Sequence, residues 1–358
     1  MTERVDRDLS AEIAAQVGDA AGRGRALYIQ GGGSKRALLG RECPAPVLDV
    51  SGHSGITDYQ PSELVLTARA GTPLTKLQAV LAEQGQELPF DPPLFDGRAT
   101  LGGTLACNLS GPARPWSGSA RDLVLGVQLI NGSGELLRFG GKVMKNVAGY
   151  DVSRLQAGAL GTLGVLSEIS LKVLPRAEHS VTLAYEMPAG AALTAMNRRA
   201  ATAAPLSGAC WQAGKLYLRL AGEPGAVTHT ARKWGGEEVA DGDEFWRQLR
   251  ELRLPFFAGD APLWRLSVKS TAPLAMTPEP ILIDWCGAQR WLRGEFQLEV
   301  LQQRTAAACG NATLVRGGDR TAEVRPLPDP VSRRLQQRLK HSFDPRGIFN
   351  PGRLYGWL

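Results

Sequence analysis

Gln30-Gly31-Gly32-Gly33-Ser34 closes a short β-prone run from Ala26 to Gln30, and the reading of this stretch decides the fold class. Consecutive glycines accept backbone conformations closed to other residues, so their N–H groups can turn toward one point and approach an anion such as a phosphate. The stretch is not a P-loop, because no G-x-x-x-x-G-K-[ST] occurs in the chain. Nor is it a dinucleotide fingerprint, since Arg36 stands where the last glycine of G-x-G-x-x-G would fall. On its own a glycine triplet is a plain loop more often than not.

Two further clusters follow it. Thr100-Leu101-Gly102-Gly103-Thr104-Leu105-Ala106-Cys107-Asn108-Leu109-Ser110-Gly111 reads as the start of a helix whose N–H groups face a ligand phosphate, or as a segment of small residues packed tightly on a sheet. Lys145-Asn146-Val147-Ala148-Gly149-Tyr150-Asp151 precedes Gly158-Ala159-Leu160-Gly161-Thr162-Leu163-Gly164-Val165-Leu166-Ser167-Glu168, where the glycines also suit simple turns. Each cluster is weak alone; their order and spacing together are specific.

Composition narrows the function classes. A chain of 358 residues suggests two or three domains with sizeable cores. The net charge of +6 is too mild and too dispersed to imply nucleic acid, though it suits an acidic substrate. The apolar run Leu123 to Ile130 falls far short of a membrane span, and the charged start Met1-Thr2-Glu3-Arg4 lacks an apolar signal core. A cytoplasmic protein is expected, at the inner face of a membrane only through partners. Cys43, Cys107, Cys210, Cys286 and Cys309 are scattered and never in C-x-x-C spacing. Neither they nor His53, His179, His229 and His341 form a local metal motif, so no metal site is expected.

Periodicity supplies the organisation. Helices are expected at Ser10 to Ala21 and after Thr72, which is positioned to cap, with Leu74, Leu77 and Leu81 on one face and Gly85 as the stop. Strands are expected at Leu64 to Arg69 and Leu166 to Val173, with a hairpin joining Leu123–Ile130 to Glu135–Phe139. From about Ala177, strands Val181–Glu186, Leu216–Leu220, Leu263–Lys269, Ile281–Trp285 and Thr313–Arg316 alternate with helices Ala189–Ala201 and Asp243–Leu252. An antiparallel sheet with helices on one side accounts for this part. A last helix opens at Asp329-Pro330 and carries Val331, Leu335, Leu339 and Phe343 at i, i+4 spacing. Arg333, Arg334, Arg338 and Lys340 give it a basic face, either solvated or a docking surface for a partner subunit or acidic membrane. Most tryptophans of this half read as core, with Trp264 and Trp291 as candidate interface residues.

The ordered set of glycine clusters resembles the FAD-binding domain of the vanillyl-alcohol oxidase/p-cresol methylhydroxylase type, also found in D-lactate and glycolate dehydrogenases. Ser117-Gly118-Ser119, Arg121-Asp122 and the tail Asp344-Pro345-Arg346-Gly347-Ile348-Phe349-Asn350-Pro351-Gly352-Arg353 share in the resemblance, which covers roughly residues 20–175 and 329–358. It implies an α+β fold: an FAD domain of two subdomains over 1–175, an inserted antiparallel-sheet cap over 176–325, and a C-terminal tail over 326–358 returning to the FAD domain. The wording from Thr100 to Gly111, the length and the tail are similar to the FAD-binding E subunits of bacterial glycolate oxidase. In that complex a second FAD-containing subunit and an iron–sulfur subunit are the partners, and a small 2-hydroxy acid is the substrate.

By the same resemblance Gly31, Gly32, Gly33 and Ser34 hold the FAD pyrophosphate. Thr100, Gly102, Gly103, Asn108 and Ser110 line the groove toward the flavin and ribityl chain. Gly161, Thr162, Gly164 and Val165 hold the adenosine side, and Asn350 returns from the tail. Relatives with covalent flavin carry a histidine where this chain has Ser34, so non-covalent FAD is expected. Catalytic relatives also carry a histidine-rich Gly-His-Val-Gly-Asp-Gly-Asn-like stretch; its nearest counterpart here, Ala308-Cys309-Gly310-Asn311-Ala312, has no histidine. Without a recognised base, a flavin that relays electrons or serves as a structural cofactor is expected, while a sister flavoprotein oxidises glycolate. A self-sufficient D-2-hydroxy-acid dehydrogenase, with a base such as Tyr150 or His341, and a flavin-free interaction subunit are the alternatives.

Overall fold

The computed structural model describes residues 6–141, 149–279 and 281–358. Lys145 to Ala148 of the third glycine-rich stretch therefore lie outside the described residues. The fold is α+β. Its first half is built on a five-stranded antiparallel sheet ordered Ile56–Gln60, Val65–Arg69, Val165–Lys172, Val124–Ile130, Leu136–Gly140. The helices Leu74–Glu83 and Leu101–Cys107 bury Leu74, Leu77, Leu81, Leu101 and Leu105 against Leu66, Ala68, Leu129 and Leu171 of that sheet. The expected hairpin forms, its turn fixed by Asn131 Oδ1, which accepts from the N–H groups of Ser133 and Glu135. Beside this sheet, Tyr28–Gln30 pairs in parallel with Val47–Asp49 under the helix Ser10–Gly22.

The expected cap at Thr72 does not form. The helix begins at Leu74 with Pro73 before it, and Thr72 Oγ1 instead donates to the Arg69 carbonyl while accepting from Gly55 N–H. Its hydroxyl is thus spent on the turn that leads into the helix.

Eight strands between His179 and Arg316 form the second sheet, in the order Glu237–Glu238, His179–Glu186, Lys215–Gly222, Leu206–Gln212, Ile281–Asp284, Gln289–Arg293, Leu263–Ser267, Asn311–Arg316. Every pairing is antiparallel. Three of these strands, Leu206–Gln212, Glu237–Glu238 and Gln289–Arg293, and the helices Pro224–Trp234 and Leu298–Ala306 were not expected from periodicity. The segment Leu206-Ser207-Gly208-Ala209-Cys210 is small-residued and weakly β-prone, and becomes a strand through its pairing with Lys215–Gly222.

Helices cover both sides of this sheet, not one. Ala189–Ala200, Pro224–Trp234 and Leu298–Ala306 pack on the face carrying Leu183, Leu218, Ile283 and Leu266. Gly242–Arg250 lies on the other, where Trp246 and Leu249 join Cys210, Leu263, Leu282 and Trp291. That second face also receives Leu38 and Leu39 from the first half. Trp264 and Trp291 are core residues, buried on opposite faces, and not interface anchors; Trp264 Nε1 donates to the Gly294 carbonyl.

The last helix, Pro330–Phe343, departs from its expected packing. Val331 and Leu335 stand 57% and 54% exposed, while Phe343 packs edge-on against Phe139. Only its C-terminal end is seated. There Lys340, expected on a basic face, is buried and donates to the carbonyls of Thr162 and Phe349, both at 2.8 Å, and to Asp344 Oδ2 at 2.7 Å. Asp344 in turn accepts from the N–H groups of Ile348 and Phe349. Arg333, Arg334 and Arg338 remain exposed. No helix among the described residues is long and apolar enough to cross a membrane.

Removing one member of a buried, hydrogen-bonded ion pair leaves the other charge uncompensated. Lys340→Met is expected to lower the unfolding free energy by about 3–5 kcal/mol, read from urea denaturation. A loss below about 1 kcal/mol, the range of a surface pair, would show that the tail is not held there.

Candidate functional site

The glycine triplet is shaped by its neighbours as much as by any ligand. A Cβ on Gly32 would fall 1.8 Å from the Arg98 carbonyl oxygen, and one on Gly31 would fall 2.4 Å from Thr100 Oγ1. Both positions are therefore closed to larger residues because the loop presses on the segment entering the helix Leu101–Cys107. Gly33 has φ +69°, the left-handed region that favours glycine. The helix entry is capped by Thr100, whose side chain accepts from Gly103 N–H.

Between these two loops lies a cavity that is open on one side to solvent. Of the residues singled out in the sequence, Gly31, Gly32, Gly33, Ser34, Thr100, Gly102, Gly103, Gly161, Gly164 and Asn350 line it together. Asn350 reaches it from the tail by accepting from Ile29 N–H at 2.7 Å and donating to the Leu160 carbonyl. Four others stand elsewhere. Asn108 takes a left-handed helix-terminating conformation, φ 48°, and turns its Oδ1 to Arg121 N–H. Thr162 is buried and donates to the Ala159 carbonyl, Val165 is in the core, and Ser110 lines a second, neighbouring cavity.

Among the described residues the lining contains no acidic side chain and three cationic ones, Lys35, Arg36 and Arg353. Lys35 is the residue that pattern reading passed over, although it directly follows Ser34. It is 7% exposed, donates to Ser34 Oγ at 3.3 Å, and its Nζ sits over the Phe95 ring at 5.4 Å. Burial pulls its ammonium down to about 8, partly offset by the nearby Cys107 and Glu251. A long cleft with glycine walls, exposed backbone and cationic rims suits an anionic ligand with extended apolar parts.

The second cavity lies where the two halves meet. Leu38, Leu39, Phe95, Leu109 and Ser110 wall it on one side, and Leu249, Arg250, Arg265, Asp284, Gln289 and Trp291 on the other. The seam is held by Glu251, which accepts from the N–H groups of Leu94 and Phe95, and by Trp285 Nε1 donating to the Gly111 carbonyl at 3.0 Å. Asp284 is buried and accepts from Trp285 N–H at 2.7 Å and from Gln289 Nε2 at 3.1 Å. Burial raises its carboxyl to about 7 against those hydrogen bonds. Burial likewise lowers the Arg265 guanidinium to about 10, helped by the like charges of Arg325 and Arg114. Each is a charged residue inside an apolar strand, Leu263-Trp264-Arg265-Leu266 and Ile281-Leu282-Ile283-Asp284, a signal available in the sequence. The histidine-free stretch from Ala308 to Ala312 lines neither cavity.

The FAD binding domain family matches residues 9–140. Glycolate oxidase subunit GlcE of Escherichia coli (strain K12) is 47% identical over 351 residues, covering 98% of this chain and 99% of that one. Glycolate oxidase subunit GlcD of Bacillus subtilis (strain 168) is 33% identical over 154 residues, 42% of this chain and 33% of the relative. Among solved structures, an alkyldihydroxyacetonephosphate synthase shares the fold, with a TM-score of 0.65 over 95% of this chain and 75% of that one at 14% identity.

The raised Asp284 carboxyl has a consequence for stability. With a folded value near 7 and an ordinary unfolded one near 4, the folded state holds the extra proton between them, so this group costs stability as pH rises through that window. The gap in urea midpoint between Asp284→Asn and the parent protein should therefore move in favour of the variant from pH 5 to pH 7.5. A gap that does not change with pH would show that Asp284 ionises as an ordinary carboxylate.

Proposed function

Because the chain belongs to the glycolate oxidase subunit GlcE family and carries its FAD-binding domain, we propose that it is the FAD-binding subunit of a complex oxidising glycolate to glyoxylate. The cavity lined by glycines of three separate chain segments carries this reading. FAD, when bound, supplies a two-electron acceptor for a C–OH carbon, able to release electrons one at a time. A second FAD-containing subunit and an iron–sulfur subunit are the proposed partners, the latter taking the electrons. Residues 1–175 and 326–358 act as the FAD domain in this reading, and 176–325 as the cap.

The chain's own residues divide the task. The N–H groups of Gly31 to Ser34 hold the diphosphate, and the Lys35 ammonium beside them balances its charge. Thr100, Gly102 and Gly103 leave room for the ribityl chain and ring. Gly161 and Gly164 border the adenosine side, with Thr162 and Val165 anchoring that segment in the core. Asn350 ties tail to loop through both ends of its amide. With serine at position 34, attachment is non-covalent.

Gly103 offers a clean test of the cradle. A Cβ there meets only Thr100 Oγ1 at 3.2 Å and Lys35 Nζ at 4.0 Å, so a larger side chain enters the cavity without striking backbone. Gly103→Leu should leave far-UV circular dichroism unchanged, since leucine is the better helix former, and abolish FAD retention on gel filtration. Full flavin content in that variant would remove the assignment. Gly32→Asp would not serve, because its clash with Arg98 reports on folding.

Anaerobic titration with glycolate tests the division of labour. As a relay, the isolated chain keeps oxidised flavin absorbance until the partner subunits are added. Bleaching of the isolated chain at turnover rates would make it a complete dehydrogenase.

A further inference from the structure

Apart from Ser110, the residues of the second cavity are not among those assigned to FAD, yet the cavity is not lined by apolar groups alone. Successive side chains of a strand point to opposite faces, and residues directly paired across strands share a face. Arg265 is paired with Trp291, Leu282 with Trp291, and Asp284 with Gln289. Arg265, Gln289 and Asp284 thus stand on the sheet face turned to the first half, among Leu263, Leu282 and Trp291. Two cations line the cavity. Arg250 is already committed to Asp91 and Glu251. Arg265 makes no hydrogen bond or ion pair to any described residue, and its neighbours Arg325 and Arg114 add positive charge. Arg265 is half-buried and lines the cavity with its charge uncommitted, so an anion entering there meets a free guanidinium among apolar walls.

We propose that this cavity binds a small aliphatic monocarboxylate, with the carboxylate on the Arg265 guanidinium and a neighbouring hydroxyl on the Asp284–Gln289 pair. Planar guanidinium donors match a carboxylate with two parallel hydrogen bonds. One uncommitted cation calls for one negative charge. A dicarboxylate would have to press its second charge against the apolar walls of Leu38, Leu39, Phe95 and Leu109 or against Asp284. The two cavities adjoin: Phe95 lines the second, and Lys35 of the first lies over its ring. The choice of a 2-hydroxy acid rests on the proposed function; the anion site itself rests on Arg265.

The test is isothermal titration calorimetry of the full chain, as purified, with glycolate, acetate and malonate, alongside measurement of flavin content. Glycolate should bind at one site per chain, acetate more weakly and malonate at least about 10-fold more weakly. Arg265→Met should weaken glycolate by about 30-fold or more, the scale expected when one member of a buried charge pair is truncated. Arg265→Lys should recover part of that loss, and Asp284→Asn should narrow the gap between glycolate and acetate. Arg265→Gln supplies the same reading should the methionine variant fail to fold. No heat with glycolate in a chain holding one FAD, or unchanged affinity in Arg265→Gln, would overturn the proposal while leaving the flavin assignment standing. Glycolate binding to a chain that holds no FAD would separate the two in the opposite sense.

Discussion

The segment from Gly31 to Arg41 runs without regular secondary structure between the two halves of the molecule, so its carbonyls need partners from outside. Two buried arginines provide them. Arg353, from the C-terminal tail, donates to the carbonyls of Arg36 at 2.9 Å and Leu38 at 2.8 Å, and also to Arg41. Arg320, just beyond the last strand of the second sheet, donates to Gly40 at 2.8 Å and to Ala37. One irregular loop is thereby tied to the tail and to the second half at once. The position of the glycine cradle, of Lys35 and of the wall formed by Leu38 and Leu39 all follow from it.

The tail can serve as a clamp because it is itself fixed at one point. Lys340 and Asp344 neutralise each other out of water and spend their remaining capacity on backbone groups of Thr162, Ile348 and Phe349. Such a pair contributes less by its mutual attraction than by forbidding alternatives, since any other seating leaves a buried charge alone. The N-terminal end of the same helix has no comparable anchor, and Val331 and Leu335 stay in solvent. Regular spacing of apolar residues along that helix therefore marks a stripe without saying that anything covers it.

Polar groups are distributed differently in the two cavities. Around the first, glycine backbone and cations predominate, an environment for a polyanion. Around the second, a single uncommitted arginine and a buried carboxyl sit in apolar walls, an environment for a compact, singly charged molecule. Low dielectric sharpens both, since charges there are screened little and unpaired ones are costly.

The sequence by itself determined the class of the fold and the cofactor. Glycine clusters are legible because their requirement is local: a positive φ at Gly33 favours glycine, and a carbonyl approaching Gly32 too closely for a side chain excludes every larger residue there. Leu74, Leu77 and Leu81 were legible for a similar reason, the helical period of one face. Tertiary structure alone decided which of these residues meet. Asn108 and Thr162 belong to the right segments, but chain direction turns their side chains to local backbone partners instead of the cavity. Strands such as Leu206–Gln212 and Gln289–Arg293 exist through pairing with distant partners, which no local propensity records. The convergence of Arg265 and Asp284 likewise depends on register across three strands, and the placing of Arg320 and Arg353 on one loop depends on contacts about 280 to 320 positions apart. Side-chain chemistry is written residue by residue; its assembly into a site is set by long-range packing, which sequence pattern does not carry.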